Sequence, residues 1–121
     1  AVIVELGAND ALRGVDPKIT RDALDRLLAR LGERGLPVLL AGMLAPPNLG
    51  QDYGAKFNPI YPELAAKHGT LFYPFFLDGA AARADLNQPD GIHPNAEGVA
   101  IIVERIVPSV EALIAEASAA R

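Results

Sequence analysis

An α/β fold, with a parallel sheet covered on both faces, is what this sequence predicts, and two observations predict it. The runs VIVEL (2–6), GLPVLLAGM (35–43) and TLFYPFFL (70–77) are apolar and rich in β-branched or aromatic residues without polar alternation, the pattern of strands that show no face to water. Helical patterns separate these runs, and alternating strand and helix calls for a parallel sheet between helical layers.

The elements follow in order. VIVEL ends in the turn-forming GAND (7–10), at the C-terminal end of a strand, where chemistry is expected in a parallel sheet. Asp16 and Pro17 read as N-cap and first helical residue, and Ala23, Leu24, Leu27, Leu28 and Leu31 then recur with helical spacing until Gly35 closes the helix. The second strand follows, completing a βαβ unit. A Pro-, Gly- and Asn-rich loop leads to a helix over 52–68 whose regularity Pro59 and Pro62 limit. After the third strand, residues 78–93 form a long irregular loop, and Pro94 opens a last helix. That helix carries Val99, Ile102, Val103, Ile106, Val110, Leu113 and Ile114 on one side and is expected to kink at Pro108.

A chain of 121 residues makes one domain, and with 50% hydrophobic and 21% charged residues it is globular. Three strands are nevertheless few for three layers, and the first run enters at Ala1 without Met or leader, as a cut chain would. The net charge of −4, with Lys and Arg scattered, leaves no footprint for nucleic acid or an anionic membrane. Cysteines number zero, which removes disulfides and thiolate chemistry. No apolar run reaches the roughly 18 residues that would read as a membrane span.

The stretch QPDGIHPNAEG (88–98) sets Asp90 and His93 three apart around a glycine. A carboxylate on one ring nitrogen fixes the tautomer of a catalytic histidine and stabilises its imidazolium. The same spacing also fits a plain turn in which Asp90 caps the loop and His93 caps the last helix. Asn9 has the same two readings, an αL turn or an amide donor at the sheet edge able to bind an oxyanion. His68, before Gly69, complements a helix C-terminus. A metal site would need His68, His93 and carboxylates such as Asp78, Asp85 or Asp90 to converge, without a helical His pair to nucleate it. Hydroxyl nucleophiles are missing from any strand-to-loop turn, since Ser109 and Ser118 both fall in the last helix.

ELGANDALRG (5–14), GLPVLLAGMLAPPNLGQDY (35–53), YPELAAKHG (61–69) and the PFFLDG and LNQPDGIHPNAEG segments together resemble the SGNH, or GDSL-type, hydrolases, in their bacterial arylesterase and thioesterase I branch. The Gly-x-Asn-Asp and Asp-Gly-x-His-Pro blocks stand in family order about 80 residues apart. The resemblance implies a flavodoxin-like three-layer α/β/α sandwich, incomplete at its N-terminal side, and hydrolysis of carboxylic esters or thioesters through a Ser-His-Asp triad. It makes His93 the base, Asp90 its orienting carboxylate and Asn9 an oxyanion donor, with Asp10, Leu12, Met43, Pro46, Tyr53 and Ile92 shaping the pocket. It implies no metal or organic cofactor, an ester, thioester or lipid substrate, and a bacterial setting in the periplasm or outside the cell.

The departure from the family is large. Its Gly-Asp-Ser block, which supplies the nucleophile, and a glycine block that supplies a further oxyanion donor both precede Gly-x-Asn-Asp, and neither is in these 121 residues. The chain therefore corresponds to about the last two-thirds of the family domain. Two partners are expected for it: an N-terminal segment of the same domain carrying the serine, or a second copy meeting the open strand edge at 2–6. The alternative to an esterase piece is a non-catalytic, self-associating α/β fragment.

Overall fold

The computed structural model describes residues 1–120. Strands β1 (Val2–Val4), β2 (Val38–Ala41) and β3 (Leu71–Tyr73) form one parallel sheet in the order β1-β2-β3. Helices α1 (Ala8–Leu12) and α2 (Pro17–Glu33) connect β1 to β2, α3 (Gln51–Phe57) and α4 (Ile60–His68) connect β2 to β3, and α5 (Ala96–Ala119) ends the chain.

Alternation along β2 separates the two layers of core. Val38 and Leu40 join Val4 beneath Leu24 and Leu28 of α2, Phe57 of α3, and Ile60, Tyr61, Leu64 and Ala65 of α4. Leu39 and Ala41, both 0% exposed, take the opposite parity, on the face where α5 meets β2 and β3. Consecutive crossovers that advance in one direction across a parallel sheet place their helices on one face, so α2 and α4 share a layer and α5 occupies the other. This is the α/β/α layering of a flavodoxin-like fold, here on three strands.

Several local expectations hold at the atomic level. Asp16 caps α2, its side chain accepting from Lys18 N at 3.0 Å with Pro17 in the first turn, and Gly35 takes φ 65° just beyond the helix end. Other expectations are corrected. β1 stops at Val4 and is not buried on both faces: Ile3 is 46% and Leu6 55% exposed, because β1 is an edge strand paired only with β2. The GAND turn is the start of a five-residue helix, entered through Gly7 at φ 110°. The helix over 52–68 is two helices. Pro59 has no N–H to carry the ladder across the break, and the Asn58 side chain instead accepts from Ala45 N at 2.8 Å. Pro62 sits within the first turn of α4, where an N–H would have no acceptor in the helix. The last helix begins at Ala96 rather than Pro94, since the Asn95 side chain caps it by accepting from Gly98 N at 3.0 Å. It runs through Pro108 as one helix. Its apolar side is wider than the surface it covers: Ile102, Ile106 and Leu113 are buried, whereas Val99, Val103 and Ile114 are 49–58% exposed.

Candidate active site

The C-terminal ends of all three strands open onto one cavity of about 590 Å³. Residues 5–10 after β1, Met43 after β2, Phe76 and Leu77 after β3, and Ile92, His93 and Pro94 before α5 line it together with Leu12. Two close backbone approaches hold the strand ends. Gly42 N donates to Tyr73 O at 2.7 Å and Phe76 N to Gly42 O at 2.9 Å, and a Cβ on Gly42 would overlap the Pro74 carbonyl.

The loop bearing His93 is stapled from several sides. Asn87 and Pro94 form an isolated antiparallel bridge, and the Asn87 amide donates to the carbonyls of Ala80 and Arg83, both at 2.7 Å. Asn95 Nδ2 donates to Asp85 O at 2.8 Å, and Gly98 packs so tightly on the Leu86 carbonyl that a Cβ there would overlap it. Asp78 pairs with Arg105 of α5 at 2.6 Å. A segment that reads as irregular is thereby fastened to α5 and its cap at its beginning and middle, and its end is tied back to Asn87.

Within that loop Asp90 serves two purposes at once. Its Oδ1 accepts from Ile92 N at 2.9 Å and His93 N at 3.0 Å, closing the turn, while its Oδ2 lies 2.6 Å from Nδ1 of His93. These bonds, led by the one to the His93 ring, hold the Asp90 carboxyl at a pKa of about 2, below the ordinary 3.8. An ionised carboxylate can only accept, so Nδ1 carries the proton and Nε2 is left as the basic nitrogen. Asp90 thus closes the turn and also meets the His93 ring, while the cap of the last helix belongs to Asn95 and not to His93.

Asn9 is exposed in the first turn of α1 and lines the same cavity as His93. Asp10 borders it too, but its carboxylate accepts a hydrogen bond from Thr20 of α2 at 2.8 Å. Leu12 and Ile92, 43% and 45% exposed, and buried Met43 supply apolar lining. Pro46 and Tyr53 lie elsewhere. Pro46 borders a separate depression with Pro47, Gly50, Asn58 and Pro59, and Tyr53 stacks on Phe57 at 5.8 Å while its hydroxyl donates to Val15 O. The stack on Phe57 of the same helix and the bond to Val15 leave Tyr53 outside the cavity lining.

Glu5, Phe76 and Leu77 line the cavity without having been singled out in the sequence. Glu5 carried a signal: it is the one charge in VIVEL, and partial burial raises its carboxyl above the ordinary 4.5. The two phenylalanine-strand neighbours carried none, being indistinguishable from core. His68 is bound to α2, its Nε2 2.6 Å from Asp25, which also holds Lys67 at 2.7 Å. Among the described residues no three His, Asp or Glu side chains cluster as a metal site would require, and no helix is long and apolar enough to cross a membrane. Ser109 and Ser118 lie in α5 and neither borders the cavity.

The GDSL-like lipase/acylhydrolase family matches residues 1–101. Esterase TesA of Pseudomonas aeruginosa is 35% identical over 113 residues, which are 93% of this chain and 56% of that protein. An arylesterase of Vibrio mimicus is 36% identical over 103 residues, 85% of this chain and 52% of that protein. The crystal structure of TesA superposes with a TM-score of 0.86 at 36% identity, covering 93% of this chain and 62% of that one. The chain spans about half the length of the curated relatives it matches.

Proposed function

From the premise that this chain belongs to the GDSL-like lipase/acylhydrolase family, we propose that it is the base-carrying part of a serine esterase whose nucleophile lies outside these 121 residues. The observation that carries the proposal is the 2.6 Å contact between His93 Nδ1 and Asp90 Oδ2 on the cavity that Asn9 also lines. The substrate is a carboxylic ester or thioester: an aryl ester, an acyl thioester or a lysophospholipid.

The chemistry follows from the donor set. With Asp90 holding Nδ1–H, His93 Nε2 takes the proton of a serine hydroxyl as the oxygen attacks the acyl carbon, then returns it to the departing alcohol or thiol. Water repeats the sequence on the acyl-serine. The Asn9 amide donates to the oxygen that becomes negative in each tetrahedral intermediate. Leu12, Met43, Phe76, Leu77 and Ile92 offer apolar surface to the acyl or leaving group. On this reading the chemistry needs no metal or organic cofactor, and the enzyme works in a bacterial periplasm or outside the cell.

The chain alone is proposed to be inactive, because His93 has no hydroxyl to act on. The test compares hydrolysis of p-nitrophenyl butyrate by the 121-residue chain and by the protein that joins it to a Gly-Asp-Ser segment. Turnover only in the joined protein, abolished by a serine-directed organophosphate, is the expected result. Absence of turnover in the joined protein on aryl ester, acyl-thioester and lysophospholipid substrates overturns the reading, as does organophosphate-sensitive turnover by the chain alone.

A second reading, a non-catalytic fragment that self-associates, is favoured by one observation: β1 is an open edge with Ile3 and Leu6 exposed beside it. Intact mass measurement of the purified sample separates the two, since a companion peptide carrying Gly-Asp-Ser supports the esterase and a lone peptide supports the fragment.

A further inference from the structure

The segment that carries Asn9 is held by hydroxyl groups reaching it from the helical layer. Tyr61 of α4 donates its phenol to Leu6 O at 2.8 Å, one residue before Gly7 turns the chain into α1. Thr20 of α2 donates to Asp10 Oδ2 at 2.8 Å, one residue after Asn9. The two bonds therefore bracket Asn9 on both sides in sequence and come from two different helices. Tyr61 is 0% and Thr20 1% exposed. Phenylalanine and valine would fill the same space without a hydroxyl to satisfy, and a buried hydroxyl is costly unless it is bonded.

α1 needs such support. A helix of five residues does not hold itself, because forming the first turn fixes several dihedrals for a single bond. Its entry residue Gly7 has φ 110°, and a Cβ there would overlap Tyr61 Oη, so the turn and the phenol are fitted to each other. An amide that stabilises a developing negative charge is effective only when it is aimed beforehand.

We propose that Tyr61 and Thr20 are positioning residues for oxyanion stabilisation by Asn9: they touch neither substrate nor reacting atoms and act by fixing the Leu6 carbonyl before the amide donor and the Asp10 side chain after it. This deepens the esterase reading and rests on it.

The experiment uses the protein that joins the 121 residues to the Gly-Asp-Ser segment. Tyr61→Phe and Thr20→Val are each expected to lower kcat on p-nitrophenyl butyrate by about tenfold, a fraction of what loss of an oxyanion donor costs, with KM changed less than about twofold. Thr20→Ser, which keeps the hydroxyl, is expected to restore the rate. In an Asn9→Ala background neither substitution should lower kcat further. A second readout needs no turnover: the NMR order parameter of the Asn9 side-chain amide should fall in Tyr61→Phe and in Thr20→Val. Equal losses of kcat with and without Asn9, or an unchanged order parameter, overturn the proposal. Should Tyr61→Phe fail to fold, the Thr20→Val and Thr20→Ser pair decides alone. If the joined protein hydrolyses no ester, the esterase reading fails, and the order parameter still tells whether the clamp orders Asn9.

Discussion

Asp90 Oδ2 stands 2.6 Å from Nδ1 of His93, while the other oxygen of the same carboxylate closes the turn that presents the ring. Side-chain orientation and loop geometry therefore depend on a single ionised group. Asp90 is held at a pKa of about 2, below its ordinary 3.8. A depressed folded value means that the stabilisation is complete above the ordinary pKa and is lost as pH falls through about 2. Carboxyl NMR should show Asp90 titrating near the lower value, and His93→Ala should move it toward the upper one. An Asp90 that titrates at the ordinary value with His93 present would mean the pair is not formed in solution.

His93 and Asn9 border one cavity but are assigned different work, and kinetics of the joined enzyme should separate them. His93→Ala is expected to lower kcat by about 10³-fold or more, since it removes the proton-transfer group. Asn9→Ala should lower kcat by about 10²–10³-fold with KM little changed, because its hydrogen bond gains strength only as charge develops. An Asn9→Ala enzyme with unchanged kcat and a raised KM would place Asn9 in substrate binding instead.

Gly7 is required twice over, for φ 110° and for the space taken by the Tyr61 hydroxyl. Gly7→Ala should destabilise the fold by about 1–3 kcal/mol, read from the urea midpoint. The Gly7→Ala/Tyr61→Phe double variant should recover part of that loss by relieving the overlap, leaving the backbone strain. A Gly7→Ala chain as stable as the parent would contradict the turn geometry.

The open edge of β1 should be adhesive. Ile3 and Leu6 are exposed beside it, and Val99 and Val103 add exposed apolar surface on α5. The isolated chain is expected to scatter light as a species heavier than 12.8 kDa, and Ile3→Lys should shift it toward monomer. A monomer at micromolar concentration with one cooperative melt and no companion peptide would rule out both self-association and a required partner segment.

Much of the molecule was legible residue by residue, and the legible parts share a cause. The Asp16–Pro17 start and Gly35 stop of α2 are interactions within one or two turns of chain, so the residues that make them are neighbours in sequence. The Asp90–His93 turn is of the same kind: the three-residue spacing around a glycine allowed carboxylate and ring to meet or to form a plain turn, and with Gly91 at φ 71° they meet. The parallel sheet and its layering also followed, because buried apolar runs alternating with helical stripes leave few ways to cover a sheet.

What tertiary structure alone decided involves partners far apart in the chain. The resemblance makes Tyr53 a pocket residue, yet its ring stacks on Phe57 and its hydroxyl finds Val15, 38 residues away. The α5 stripe reads as one face, but the sheet reaches only part of it, and no periodicity tells Ile102 from Val103. Tyr61 is not singled out by the sequence, yet its buried hydroxyl holds the Leu6 carbonyl across 55 residues. Sequence by itself determined the Asp16 cap and Gly35 stop of α2 and the nearness of Asp90 to His93, since these are set by a few consecutive dihedrals. Only the packed fold decided which surfaces are covered and which hydroxyls meet the Asn9 segment, because those contacts depend on where whole helices come to rest on the sheet.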